Sequence, residues 1–161
     1  MAIYGAVRLD KVAAIAGGIE SVKHSVRLEN GMIHHVAGLA SGEREVKSVV
    51  TPSTASILTD SILLHASPEL NYVEGETILD FSVEVGKIGR SYHLEVGDII
   101  TVTDAVITGA SVVGQFLIPA NNSLKLTAAA NLDGGTRFAA RVLEKGSIYG
   151  QASTTFQVIK N

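Results

Sequence analysis

No cysteine occurs anywhere in this chain of 161 residues. Disulfides and thiolate metal sites are thereby excluded, while the redox compartment is left open. Tryptophan is also missing, and only four tyrosines and four phenylalanines are present. The aromatic platforms on which sugars or single-stranded nucleic acids stack are therefore scarce. Charged residues make up 18% of the chain and the net charge is −3, with no basic block. Nothing in the sequence forms the concentrated positive face that neutralises phosphates, so nucleic acid is not an expected partner. No apolar run approaches the roughly 20 residues of a membrane-spanning helix, and no membrane partner is expected. Arg8, Asp10 and Lys11 interrupt the start of the chain where a secretion signal would be continuously apolar.

What is present is a set of short, β-branched, alternating segments. The apolar fraction is 46%, enough for a sizeable core in one domain spanning 1–161. A shift in composition at Thr51-Pro52 offers a seam between an N-terminal hairpin region, 1–51, and a β-barrel, 52–161. The chain is organised around residues 90–109, RSYHLEVGDIITVTDAVITG. There Tyr92, Leu94 and Val96 alternate with His93 and Glu95 as in a half-buried strand. Gly97-Asp98 breaks the run, and a second β-rich segment follows at 99–103. Residues 78–85 form the cleanest alternation, with Leu79, Phe81, Val83 and Val85 on one side. Residues 22–28 and 32–36 flank Asn30-Gly31, the dipeptide suited to a two-residue type I′ hairpin turn. In that register His24 and His35 share a face. Residues 12–18 are small and apolar, either a helical turn or a bend. Residues 56–65 read either as a strand buried on both faces or as a short helix. The N-terminal decapeptide either completes a sheet or reaches out to a neighbour's open edge. Further strands are expected at 112–118, 124–128, 137–143 and 154–159, separated by turns at 121–122, 133–135 and 145–146. This spacing predicts an all-β fold, a small antiparallel barrel or sandwich. The expected core is Leu79, Phe81, Val83, Leu94, Val96, Ile100, Val102, Phe116, Phe138, Val142 and Phe156.

Candidate chemistry is thin. His24, His34 and His35 lack a third ligand and the HExxH spacing, so no metal is expected. Residues 85–90, VGKIGR, lack the hydroxyl residue after lysine and the upstream glycine of a phosphate loop. Ser111 lies in GASVV, which fails the nucleophile-elbow pattern at its last position. Glu74 and Glu76 would point the same way in an extended chain, as a paired acid and base would, but they sit in a polar segment that solvates them. No cofactor motif occurs. The expectation is a protein without catalytic, cofactor or metal residues, and not an enzyme.

Several segments together resemble a family of structural proteins from the heads of tailed bacteriophages, encoded near the major capsid protein. They are AVRLDK (6–11), ENG (29–31), GEREV (42–46), HASPE (65–69), GKIGRSYHLEVGD (86–98), VGQFLIP (113–119) and TRFAARVLEK (136–145). The specificity of the resemblance lies in the series and its order. It implies a capsid decoration protein of the virion exterior, in the host cytoplasm during assembly. The implied partner is the major capsid protein, contacted by a homo-oligomer or by many copies on one shell. A tail or baseplate module is the alternative.

Overall fold

The computed structural model describes residues 3–132 and 134–161. The chain is all-β. Among the described residues, five strands close into a small barrel and seven form a second sheet.

The barrel runs β2 (Ile19–Lys23), β4 (Val46–Val50), β3 (Ile33–Leu39), β5 (Leu63–His65) and β6 (Gly89–His93), with β6 closing back on β2. Only the β2–β4 pairing in it is parallel. The sheet runs β1 (Val7–Lys11), β7 (Ile99–Thr103), β12 (Gln151–Lys160), β11 (Ala139–Ile148), β9 (Phe116–Pro119), β10 (Leu126–Ala129) and β8 (Ile107–Thr108). One hydrophobic cluster runs through both, from Val22, Ile33 and Leu64 of the barrel to Ile100, Phe138 and Phe156 of the sheet. Thr51-Pro52 lies between two barrel strands. The barrel therefore straddles the compositional seam, and the chain does not divide there into a hairpin region and a barrel.

The stretch 90–109 carries the chain from the last barrel strand, β6, into the sheet at β7. Asp98, buried, ties the crossing: its carboxylate accepts hydrogen bonds from the backbone N–H of Ala13 (3.0 Å) and Glu95 (2.9 Å). Val158 of β12 donates to the Asp98 carbonyl at 2.9 Å. Gly97 takes a φ of +99°, which a β-branched residue would resist.

Two local expectations are corrected. Asn30-Gly31 does form a tight turn, with Met32 N–H donating to the Glu29 carbonyl at 3.2 Å, but it joins no hairpin. Gly31 has φ +94° while Asn30 does not enter positive φ. That is the signature of a type II turn, not type I′. The reason is tertiary. The Asn30 side chain is buried and exchanges two hydrogen bonds with the backbone of Ser67, at 2.8 and 2.9 Å. Gly31 meanwhile lies against Val102 of β7 and Val106 of the 3-10 turn that follows it. Leu28 bridges to Val83, and β3 pairs with β4 and β5.

Residues 78–85 are not a strand either. A 3-10 turn occupies Ile78–Asp80, started by a capping box in which Thr77 and Asp80 bond each other's backbone N–H groups. Local side-chain bonds of this kind compete with strand pairing. Leu79 and Phe81 are consequently half-buried. Phe116 is half-buried as well, and Val96, at the tip of the crossing, is 67% exposed. The other seven expected core residues are buried.

Residues 56–65 combine both readings offered for them: a single helical turn, α1 (Ser56–Thr59), precedes β5. The N-terminal segment completes the sheet through β1, paired with β7. Met1, Ala2 and Asp133 of the expected 133–135 turn lie outside the described residues.

Candidate functional site

All five histidines of the chain fall in or beside barrel strands: His24 after β2, His34 and His35 on β3, His65 ending β5, and His93 ending β6. Strand pairing places His65 directly opposite Ser91. His34, on β3, reaches Ser91 on β6 past the intervening β5, which is possible only on the concave side of the barrel wall. Gly89 and Ser91 alternate along β6 and leave room there for two imidazoles. A Cβ at position 89 would stand 2.4 Å from His65 Cε1.

The resulting cluster is a hydrogen-bonded chain. His34 Nε2 lies 2.8 Å from Ser91 Oγ, and His65 Nδ1 lies 3.3 Å from the same oxygen. His65 Nε2 contacts Ser67 Oγ at 3.2 Å, and that oxygen accepts from Arg90 N–H at 2.8 Å. The two rings are 6.2 Å apart and tilted by 58°. His34, His65 and Ser91 are each 0% exposed. Burial, followed by the neighbouring imidazole of His65, drives the His34 pKa well below the ordinary value. Burial lowers His65 to about 4, and it lowers His24 too. These rings are therefore neutral at pH 7.

Partner chemistry assigns the other rings. His35 Nδ1 faces the Ser61 carbonyl at 2.9 Å, so it carries the proton, and Nε2 is left as a buried lone pair without a partner. The Nδ1 atom of His34 is likewise buried and unpartnered. His24 Nδ1 accepts from Val26 N–H at 3.0 Å. The pairing of His24 with His35 expected from the hairpin register is thus replaced by separate backbone partners. His93 Nε2 lies 3.4 Å from Glu20 Oε1. No group of three or more potential ligands assembles for a metal among the described residues. The cluster is a neutral polar bed, sealed from solutes.

A second cluster could not be read from local motifs. Lys145 Nζ lies 2.6 Å from Asp104 Oδ2, 2.8 Å from Ser111 Oγ and 2.7 Å from Thr154 Oγ1. Thr154 in turn donates to Asp104 Oδ1 at 2.7 Å. Three acceptors match the three N–H donors of an ammonium. In that state the lysine has no lone pair with which to take a proton from Ser111, so the constellation is a lock between the sheet and the 104–111 segment. Its only sequence signal was Ser111 itself; Lys145 is 34 residues away.

The remaining candidates do not converge. Glu74 and Glu76 are exposed on the loop before the 3-10 turn. Lys87 stands exposed on a turn in which its N–H donates to the Glu84 carbonyl at 3.0 Å. Comparison of the chain with protein-family models, curated proteins and solved structures finds no match.

Proposed function

We propose that this chain is a non-enzymatic virion structural protein that binds the outside of the expanded phage capsid and stabilises it, with the major capsid protein as partner. The observation that carries the reading is how the side chains are distributed. Groups with chemical potential, among them His34, His65, Ser91, Ser111 and Lys145, are tied up in internal hydrogen bonds. Large apolar side chains stand outside. Val112, Val113, Leu143 and Tyr149 are all exposed along one border of the sheet. The 111–115 segment holds that border through hydrogen bonds between Val142 and both Gly114 and Gln115, each 2.9 Å. From Leu143 to Ile148, β11 has a strand neighbour on one side only among the described residues. An apolar border with free backbone groups suits docking to another protein surface. The ordered series of resembling segments, which covers β1, the crossing, β9 and β11, supports the same reading.

A rigid β-body fitted to one shell geometry stabilises that geometry by its difference in affinity. Many copies on one shell multiply a modest contact. The test is co-sedimentation of the purified protein with procapsids and with expanded heads that lack it. Binding to expanded heads alone is the expected result. Equal binding to both shells refutes state selectivity, and binding to neither hands the case to a tail or baseplate module.

A further inference from the structure

The barrel exterior carries two open clefts that share a wall. The larger, about 670 Å³, is walled by Leu70, Tyr72, Phe81 and Ile88 and floored on one side by Lys87 and Arg90. The smaller, about 390 Å³, reuses Leu70 and Phe81 and carries Glu76 and Asp80. Glu84 borders both, and its charge is answered by Arg27 at 3.1 Å. Among the described residues, Lys87, Arg90, Glu76 and Asp80 belong to no ion pair. Hydrogen bonds from Thr77 hold the Asp80 carboxyl below its ordinary pKa, so it is ionised at neutral pH. Basic and acidic poles thus lie on either side of one apolar ridge.

The ridge is exposed to an unusual degree. Tyr72 is 92% exposed, and Leu70, Val73, Val85 and Ile88 are each more than half exposed. A contiguous apolar patch rimmed by charge marks an interaction site, and an exposed tyrosine is the residue type that anchors one.

We infer that this ridge pairs two copies of the chain about a two-fold axis through Leu70 and Phe81. The charge layout selects the occupant. A two-fold rotation about the shared wall lays the Lys87–Arg90 pole of one copy on the Glu76–Asp80 pole of the other. The same operation supplies the reciprocal contact. A closed interface that uses one patch twice must be self-complementary in this way. A uniformly acidic or basic partner would satisfy one pole and be repelled by the other. The same rotation carries Tyr72, which walls the larger cleft, over the smaller cleft of its mate, beside Leu70 and Phe81. The pairing is a property of the free protein and stands or falls separately from capsid binding.

Sedimentation equilibrium over a wide concentration series tests it. The expected species is a reversible dimer of twice 16.9 kDa, weakened by salt. Lys87→Glu alone and Glu76→Lys alone should each weaken it by about tenfold or more, as like charges meet. An equimolar mixture of these two variants should recover the dimer, since the swapped poles match again. Tyr72→Ala should weaken it at every salt concentration. All three side chains are exposed, and unchanged melting temperatures would show that the fold is intact; Arg90→Glu substitutes for Lys87→Glu if needed. A monomer at all concentrations overturns the inference. So does a dimer indifferent to both charge swaps, or assembly past the dimer into rings or chains.

Discussion

Lowering the pH below 6.5 should destabilise the barrel from its inside. His65 has a pKa of about 4 in the folded chain, against 6.5 for a free imidazole. The unfolded chain therefore binds more protons between these values, and stability rises with pH across that window. Above pH 6.5 the ring is neutral in both states and nothing is lost. Each unit below it costs about 1.4 kcal/mol for this one group. The loss is about 2 kcal/mol at pH 5 and saturates near 3 kcal/mol below pH 4. His34 is displaced in the same direction, first by burial and then by His65, and His24 by burial, so both steepen the fall. The groups that face the pair are Ser91, Ser67 and the other imidazoles, none of which offers a negative charge to an imidazolium. Among the described residues the histidine paired with a carboxylate is His93, with Glu20, and not His34 or His65. A domain of this size has only about 5–15 kcal/mol in hand, so the loss is a large part of its stability. Urea unfolding at a series of pH values between neutral and about 4.5 measures the slope directly. His65→Gln keeps a donor and an acceptor but cannot titrate. It should flatten the curve by about 1.4 kcal/mol per pH unit below 6.5, whatever its stability at neutral pH. Parallel curves for the parent and His65→Gln would falsify the assignment of a buried neutral imidazole.

Gly89→Ala should destabilise by about 1–3 kcal/mol, because its Cβ would press on His65 Cε1, a ring with no space to retreat; an unchanged urea midpoint would mean the ring is not packed there. Phe156→Ala, at a fully buried site where β12 meets β7, should cost about 3–5 kcal/mol, and Phe81→Ala, half-buried on the ridge, clearly less; the reverse order would contradict the packing. Lys145→Met keeps the length of the side chain but strips Asp104, Ser111 and Thr154 of their shared donor, and should lower stability by about 1–3 kcal/mol; no change in melting temperature would mark the cluster as solvent-compensated. Protein prepared without chelator should carry no stoichiometric zinc or nickel, and one equivalent retained through dialysis but lost in His24→Ala would overturn the reading of the histidines as metal-free.

Fold class was legible because period-two alternation and β-branched content are local properties: β12, which alternates with a buried face, and β7, β-branched and buried almost throughout, are where they were expected. What misled was also local. Residues 78–85 alternate well, yet Thr77 and Asp80 bond the backbone around them before a neighbouring strand can. Asn30-Gly31 carries the strongest hairpin dipeptide, yet the Asn30 amide finds two bonds with Ser67, 37 residues on, and those contacts override the turn's intrinsic twist. Both failures put a side-chain-to-backbone hydrogen bond above hydrophobic pattern. The capping box has a local spacing, Thr77-x-x-Asp80, that the alternation around it masked, whereas the Asn30–Ser67 bonds have no local signal at all.

The histidine cluster was invisible for a related reason. His34 and His35 stood out as neighbours, but neighbours on a strand face opposite ways, and the expected hairpin register put His24 and His35 on one face instead. The real companion of His34 is His65, brought to it by β5 lying between β3 and β6 and by Ser91 reaching both rings. The one local signal was the pair Gly89 and Ser91, small residues two apart on a strand otherwise filled by Arg90, Tyr92 and His93. A run of small side chains on one face means something large occupies that space from across the barrel. In a chain with no tryptophan and few phenylalanines, the candidates to fill it were few. An imidazole kept neutral by burial fills such a space nearly as an aromatic ring does above pH 6.5. Between about 4 and 6.5 only the unfolded chain gains the proton, and below about 4 the buried ring itself becomes a cation with no counter-charge, which ties the packing of this barrel to the proton concentration around it.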